Sequence, residues 1–301
     1  MTRARAPGKV VLSGAYAVLA GAPAIVSAVS RYVTADTERP ATFVTDEVRA
    51  ALSAEEQAPW FDAAALREGD RKLGLGSSAA ILVASLFALE QARAPNASEE
   101  QRRWRVLARA RAAHQAAQGG GSGVDVAAST WGGTLLYRVG PGGGDSRPVV
   151  LPRALHVEVW SCPTSASTRE LLAAVARLVE HKPQLHARWL GAQILASYEA
   201  ASSVQRGSAR GVVAALRAQQ RALLGLGNAA NVPIVTPELA ALAPLAEGEG
   251  GVLLPAGAGG GDIALFVGGA PSSAALRGAL EAHAHQRLAT ALSAPGVEAV
   301  P

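Results

Sequence analysis

The pattern of apolar and polar positions divides the chain into short elements. Val10–Leu12 form an apolar burst, Ser13-Gly14 reads as a turn, and Gly14–Leu19 form a second apolar segment. Ala24–Ala28 and Tyr32–Thr37 alternate as strands do, joined by the polar Ser30-Arg31, and Thr42–Val44 adds a short strand. Residues 46–70 are mixed, with Pro59-Trp60 as punctuation. The run Ile81–Ala92 predicts a helix stopped by Pro95-Asn96, and Ser98-Glu99-Glu100-Gln101 is a capping signal for a second helix to about Gln118.

Further on, Thr134–Val139 and Leu155–Ser161 read as strands, with a turn at Pro141–Asp145 between them. Helices are expected over Thr168–Glu180 with Thr168 as cap, over Trp189–Ala201, over Gly211–Leu224 and briefly from Pro237. Pro183 reads as an interruption. Gly251–Leu254 and Ile263–Val267 are strands, and Ser272–Leu292 is mostly helix. Strands dominate the first third, and helices mix with a few strands in the second half. This predicts an α+β protein in two lobes, residues 1–154 and 155–301.

Composition narrows the classes. The 301 residues are 49% hydrophobic and 17% charged, which excludes a disordered chain and fills a core with Ala, Val and Leu. A net charge of +4 with 4% aromatics argues against nucleic-acid binding. No apolar run reaches the roughly 18 residues of a membrane span, and Cys162 is the sole cysteine, so a soluble protein of the reducing cytoplasm is expected. Lysine occurs only at positions 9, 72 and 182, which makes a lysine inside a motif conspicuous.

Three glycine-rich segments carry the candidate chemistry. In Gly74-Leu75-Gly76-Ser77-Ser78-Ala79-Ala80, glycines admit a bulky anion, the following helix start supplies free N–H groups, and two hydroxyls stand ready for phosphate or Mg²⁺. It is neither a Walker loop nor a Rossmann fingerprint, since both spacings fail. In Gly119–Gly123 followed by Val124-Asp125-Val126, Asp125 reads either as a helix N-cap or as a carboxylate that takes a proton from a substrate hydroxyl. Taken alone, the cap reading wins, and His114 reads as a structural histidine. Ala256–Asp262 reads on its own as a tight turn.

Together these segments resemble the GHMP small-molecule kinase family. The matching motifs are Ala6–Leu19, Gly74–Ala80 and Gly257–Asp262, in family order along nearly the whole chain. Within the family, the His and Gln ahead of Gly-Ser-Gly-x-Asp-Val-Ala-Ala (His114–Ala128) and the segment Cys162–Thr168 resemble the phosphomevalonate kinases more than the mevalonate kinases. The resemblance implies a two-lobed fold whose N-terminal lobe is built like ribosomal protein S5 domain 2. It implies transfer of the γ-phosphoryl of ATP to a small acceptor, with Mg²⁺, by a monomer or homodimer. Residue by residue, it carries Gly74, Leu75, Gly76, Ser77, Ser78, Ala79 and Ala80 over as the triphosphate loop, with Ser78 as the Mg²⁺ contact. Asp125 is carried over as base or orienter and Lys9 as its partner. Ser122, Gly123, Arg169 and Gly259 join Lys9 and Asp125 as substrate contacts.

Two departures bear on the metal. The family's Gly-Glu-x-Ala-Val is here Gly14-Ala15-Tyr16-Ala17-Val18, and His114 stands where mevalonate kinases carry a metal-binding Glu. The acceptor expected is 5-phosphomevalonate, its phosphate met by cations among Lys9, Lys72, Arg138 and Arg169. Mevalonate, another polyol or amino alcohol, and a catalytically inactive metabolite-binding role are the alternatives.

Overall fold

The computed structural model describes residues 2–69, 71–140, 144–165 and 167–300. In chain order the elements are β1 (Arg3–Ser13), β2 (Ala24–Pro40), α1 (Asp46–Ala51), β3 (Pro59–Asp62), β4 (Arg67–Glu68), β5 (Arg71–Lys72), α2 (Ser77–Arg93), α3 (Glu99–Gln118), α4 (Val124–Trp131), β6 (Thr134–Arg138) and β7 (Asp145–Val149). There follow β8 (His156–Ser161), α5 (Thr168–His181), α6 (Pro183–Gln205), α7 (Ala209–Ala230), α8 (Pro237–Gly248), β9 (Val252–Pro255), β10 (Ile263–Gly268), α9 (Ala274–Ala282), β11 (Gln286–Arg287) and β12 (Glu298–Val300).

Packing divides the chain into two units that interleave in sequence: Met1–Val10, Val26–Pro148 and Thr290–Pro301 form the first, and Val11–Ile25 with Val149–Ala289 the second. One crossing falls at 148/149, six residues before the expected boundary at 154/155. The others fall within β1 and β2 and before the last twelve residues, because two long strands each run through both units.

The first unit is organised by a sheet of order β12-β1-β2-β6-β7, with β3 also paired to β2. β12 runs antiparallel to β1 and sets Arg5 opposite Glu298, whose carboxylate accepts from Arg5 Nε at 2.7 Å. α2 is apolar on every side, and everything from Ala79 to Ala88 is buried, as a helix without a polar face must be. Leu82, Leu86 and Phe87 are fully buried, each contributing about 1.5–3 kcal/mol. α3 starts with the expected capping box: Ser98 Oγ accepts from Gln101 N at 3.2 Å, and Gln101 Oε1 accepts from Ser98 N at 3.0 Å. From the same helix, Arg103 Nε donates to Val297 O at 3.0 Å and so holds the C-terminal segment to this unit.

The second unit has a sheet of order β11-β8-β10-β9. Its central strand β10 is buried at every position and pairs antiparallel with both neighbours, Ile263 opposite Ser161 and Ala264 opposite Pro255. α5–α9 bury Leu178, Leu226, Leu239 and Leu280 around Trp160 and Phe266. Glu158 is buried in this core but satisfied: Ser272 donates from N and Oγ, and Trp160 Nε1 donates at 3.2 Å.

Several expectations are corrected. Ala24–Ala28 and Tyr32–Thr37 are one strand of 17 residues, since backbone pairing runs on through Ser30-Arg31. Thr42–Val44 is not a strand. Phe43 is exposed there, and Thr45 instead caps α1 by accepting from Val48 N at 3.3 Å. The cap of α5 is Ser167 rather than Thr168, Pro183 begins α6 rather than interrupting a helix, and the last helix ends at Ala282, before Ala284 at φ 57°. The turn expected at Pro141–Asp145 lies largely outside the described residues, as does Ala166 of the Cys162–Thr168 segment.

Candidate functional site

In the first unit, β1 delivers Lys9 to the start of α2. The Lys9 backbone N–H donates to Leu75 O at 2.8 Å, which straps the loop Gly74–Gly76 to the strand. The Lys9 side chain then runs across Gly76. A Cβ built on Gly76 would lie 2.8 Å from Lys9 Cε and 3.1 Å from Cγ, and its φ of 76° lies in the left-handed region. Gly76 is therefore both the N-cap of α2 and the opening through which the lysine passes.

Ser77 and Ser78 occupy the first turn of α2, and Ala79 and Ala80 are buried behind them. Neither serine hydroxyl makes a hydrogen bond among the described residues. The first backbone N–H groups of the helix have no intrahelical acceptor, and the dipole adds positive potential there. This end of α2 is a ready anion seat.

Lys9 Nζ stands 3.5 Å from Asp125 Oδ2, with the two side chains 14% and 29% exposed. Asp125 is not the N-cap that its residue type favours. Gly123 takes that position, in the left-handed conformation at φ 74°, and Asp125 sits in the first turn of α4. Burial pushes the Asp125 carboxyl up, but the charges of Lys9 and then His114, its own backbone N–H and the Lys9 hydrogen bond outweigh it. The carboxyl ends below its ordinary range and is ionised at neutral pH.

Three neighbours lie outside the sequence reading. Glu47 of α1 is buried and accepts from Gln118 Nε2 at 3.2 Å. Burial raises its pKa, but that hydrogen bond, others from its own backbone and Thr45, and the charge of His114 bring it below the usual range. Tyr137 is fully buried and donates to Ser122 O, fixing the glycine loop ahead of Asp125. Arg111 packs its stem against Gly123 and faces the Tyr137 ring, with 5.9 Å from Cζ to the centroid. Arg111, His114 and Gln118 repeat at helical spacing on α3, a signal legible in the sequence; the approach of α1 was not.

Lys72 and Arg138 are exposed at the ends of β5 and β6. Arg169 and Gly259 belong to the second unit. Arg169 is exposed on the first turn of α5. Gly259 lies in the loop between β9 and β10, which is held by Gly260 N donating to Ile234 O at 2.9 Å. In that loop Asp262 accepts from Ser165 Oγ at 2.8 Å, tying it to the Cys162–Thr168 segment. Ala15 also belongs to this unit, beside Gly14, whose N–H donates to Gln219 Oε1 at 3.0 Å. Among the described residues, no three His, Cys, Asp or Glu side chains are grouped to hold a metal ion, and no helix is long and apolar enough to cross a membrane.

Residues 48–133 match the family model of the GHMP kinases N terminal domain. The chain is 30% identical over 207 residues to a phosphomevalonate kinase of Streptomyces sp. (strain CL190), covering 62% of this chain and 54% of that protein. It is 29% identical over 202 residues to a mevalonate kinase of Archaeoglobus fulgidus, covering 60% and 66% respectively. The alignments thus span about half to two thirds of these relatives. The fold matches the Streptococcus pneumoniae phosphomevalonate kinase in complex with phosphomevalonate and AMPPNP, at a TM-score of 0.77, 16% identity, and 97% and 100% coverage of the two chains. Residues 48–133 thus match the GHMP kinases N terminal domain, and the chain as a whole shares the fold of the Streptococcus pneumoniae protein.

Proposed function

We propose that the protein transfers the γ-phosphoryl group of ATP to 5-phosphomevalonate. The observation that carries the reading is the Lys9–Asp125 pair, threaded over Gly76 at the start of α2. An ionised carboxylate, a lysine ammonium and a ring of uncommitted N–H and O–H donors are what phosphoryl transfer asks of a protein, since its catalysis is mostly positioning and charge neutralisation. The Streptomyces relative supports the phosphorylated acceptor; the similar identity to the Archaeoglobus mevalonate kinase keeps mevalonate as the second reading.

The residues divide the work. The first turn of α2 and the two serines hold the triphosphate. Lys9 neutralises charge where the transferred group and the acceptor meet. A phosphate monoester has its second pKa near 6 and is largely deprotonated at pH 7, so Asp125 has little proton to remove. It instead holds Lys9 in place and orients the acceptor. With mevalonate, the same carboxylate would accept the hydroxyl proton. For Mg²⁺ the chain offers hard oxygen donors, the free hydroxyl of Ser78 first and the Asp125 carboxylate second. This sparse set suits an ion that keeps waters and leans on phosphate oxygens, and its chemistry there is charge neutralisation.

Turnover of ATP with 5-phosphomevalonate and with mevalonate, at equal concentrations, tests the reading. Preference for the phosphorylated acceptor supports it. Preference for mevalonate moves the assignment to the second reading, and turnover with neither refutes both.

A further inference from the structure

Beside the Lys9–Asp125 pair, the C-terminal end of α3 and the Gly120–Gly123 loop enclose a cleft of about 180 Å³. Its wall includes Arg111, His114, Gln115, Gly121, Ser122 and Gly123, and no carboxylate. Arg111 is the anomaly. Its Nε and Nη2 are buried, and neither has a hydrogen-bond partner among the described residues. A buried donor left unpaired is costly, and more so when it is charged. The acids nearby are already engaged, Asp125 with Lys9 and Glu47 with Gln118. Tyr137 gives the guanidinium a ring face and a side-chain hydrogen bond, but no negative charge, and Nε and Nη2 stay without acceptors. For folding alone, an apolar side chain of the same length would serve better at position 111.

We propose that this cleft is an oxyanion-binding site in which Arg111 takes a phosphate group. Guanidinium N–H groups match phosphate oxygens in pairs. A further donor available is the Ser122 hydroxyl, whose oxygen accepts from Val124 N at 3.4 Å and whose proton is uncommitted. His114 lines the same cleft. The phosphate belongs either to the acceptor, delivered two residues from Asp125, or to free inorganic phosphate. The site itself does not depend on the phosphotransfer reading.

The test is inorganic phosphate, added to the full chain, with the melting temperature as readout. The wild type is expected to melt higher as phosphate rises. Arg111→Met is expected to fold, to melt at or above the unliganded wild type, and to lose the phosphate-dependent rise; Arg111→Lys should keep part of it. Kinetics then identify the source. If the acceptor's phosphate sits here, Arg111→Met raises KM for 5-phosphomevalonate by about tenfold to a hundredfold while KM for ATP holds. If free phosphate is the ligand, the melting response goes and both KM values stay. The proposal is overturned if the wild type shows neither a phosphate-dependent rise nor an Arg111-dependent KM, or if Arg111→Met keeps both responses. Arg111→Met melting well below the wild type would also overturn it, since the guanidinium would then be structural.

Discussion

Replacing Gly76 by alanine probes the part of the site that the structure specifies most tightly. A non-glycine residue at φ 76° costs about 1–2 kcal/mol, and the less flexible unfolded chain returns about 0.4–1, so the net backbone effect is roughly 1 kcal/mol. The new Cβ also falls 2.8, 3.1 and 3.4 Å from Lys9 Cε, Cγ and Cδ. Contact along so much of the stem cannot be relieved by swinging the ammonium end, so the whole side chain shifts and Nζ leaves its place 3.5 Å from Asp125. A displacement of about 1 Å at such a group lowers turnover on the order of 10²-fold. Gly21→Ala is the control: its φ is 79°, but nothing lies within 4 Å of its Cβ, so it carries the backbone effect alone. Denaturant unfolding should show Gly21→Ala destabilised by ~1 kcal/mol and Gly76→Ala by at least as much, since it also loosens the Lys9–Asp125 pair. Steady-state turnover should fall only in Gly76→Ala. Equal turnover in the two variants would refute the argument that Gly76 makes room for Lys9.

Lys9→Met should lower turnover by about 10²–10³-fold, as loss of a charge-stabilising donor does, and should destabilise the fold by about 1–3 kcal/mol by leaving Asp125 half-buried and unpaired; kinetics and denaturant melts check both. The carboxyl of Asp125 is lowered in the folded state, so its contribution to stability is present above the ordinary carboxylate range and is lost as pH falls through its depressed value. Asp125→Asn should therefore melt slightly below the wild type at pH 7, with the gap closing as pH falls below the ordinary carboxyl value of 3.8. Glu56 obeys the same sign: hydrogen bonding to Arg109 lowers it from 4.5 to about 2, so Arg109→Met should cost about 2 kcal/mol at neutral pH, with the difference fading between 4.5 and 2 in a pH series of melts.

What the sequence revealed follows from the range of the forces involved. α2 and α3 were legible because their signals are local: an all-apolar run, and a Ser98–Gln101 box that closes on itself. The loop Gly74–Gly76 and the helix start behind it were legible because their glycines and serines are adjacent in sequence. β2 was read as two strands because Ser30-Arg31 breaks the apolar alternation, whereas the ladder depends on partners far off, such as Ala291 O accepting from Ser30 N. The helical pattern runs ten residues past the end of the last helix because residues after Ala282 keep helical composition; Thr290–Pro301 belong to the first unit, where Ser30 and Arg103 bind them. At the site, residue type favoured Asp125 as cap, but Gly123 reaches the left-handed conformation at less strain and frees the carboxylate for Lys9. Glu47 and Arg111 gain their meaning from packing: one from the approach of α1, the other from donors left without acceptors.

The most direct test is transfer of labelled γ-phosphoryl from ATP to 5-phosphomevalonate by the wild type and by Asp125→Asn, each with a melting curve. The pairing of Lys9 with an ionised Asp125 predicts transfer by the wild type, and a loss of about 10²-fold or more in a variant that still folds. Wild-type transfer by Asp125→Asn would contradict the account.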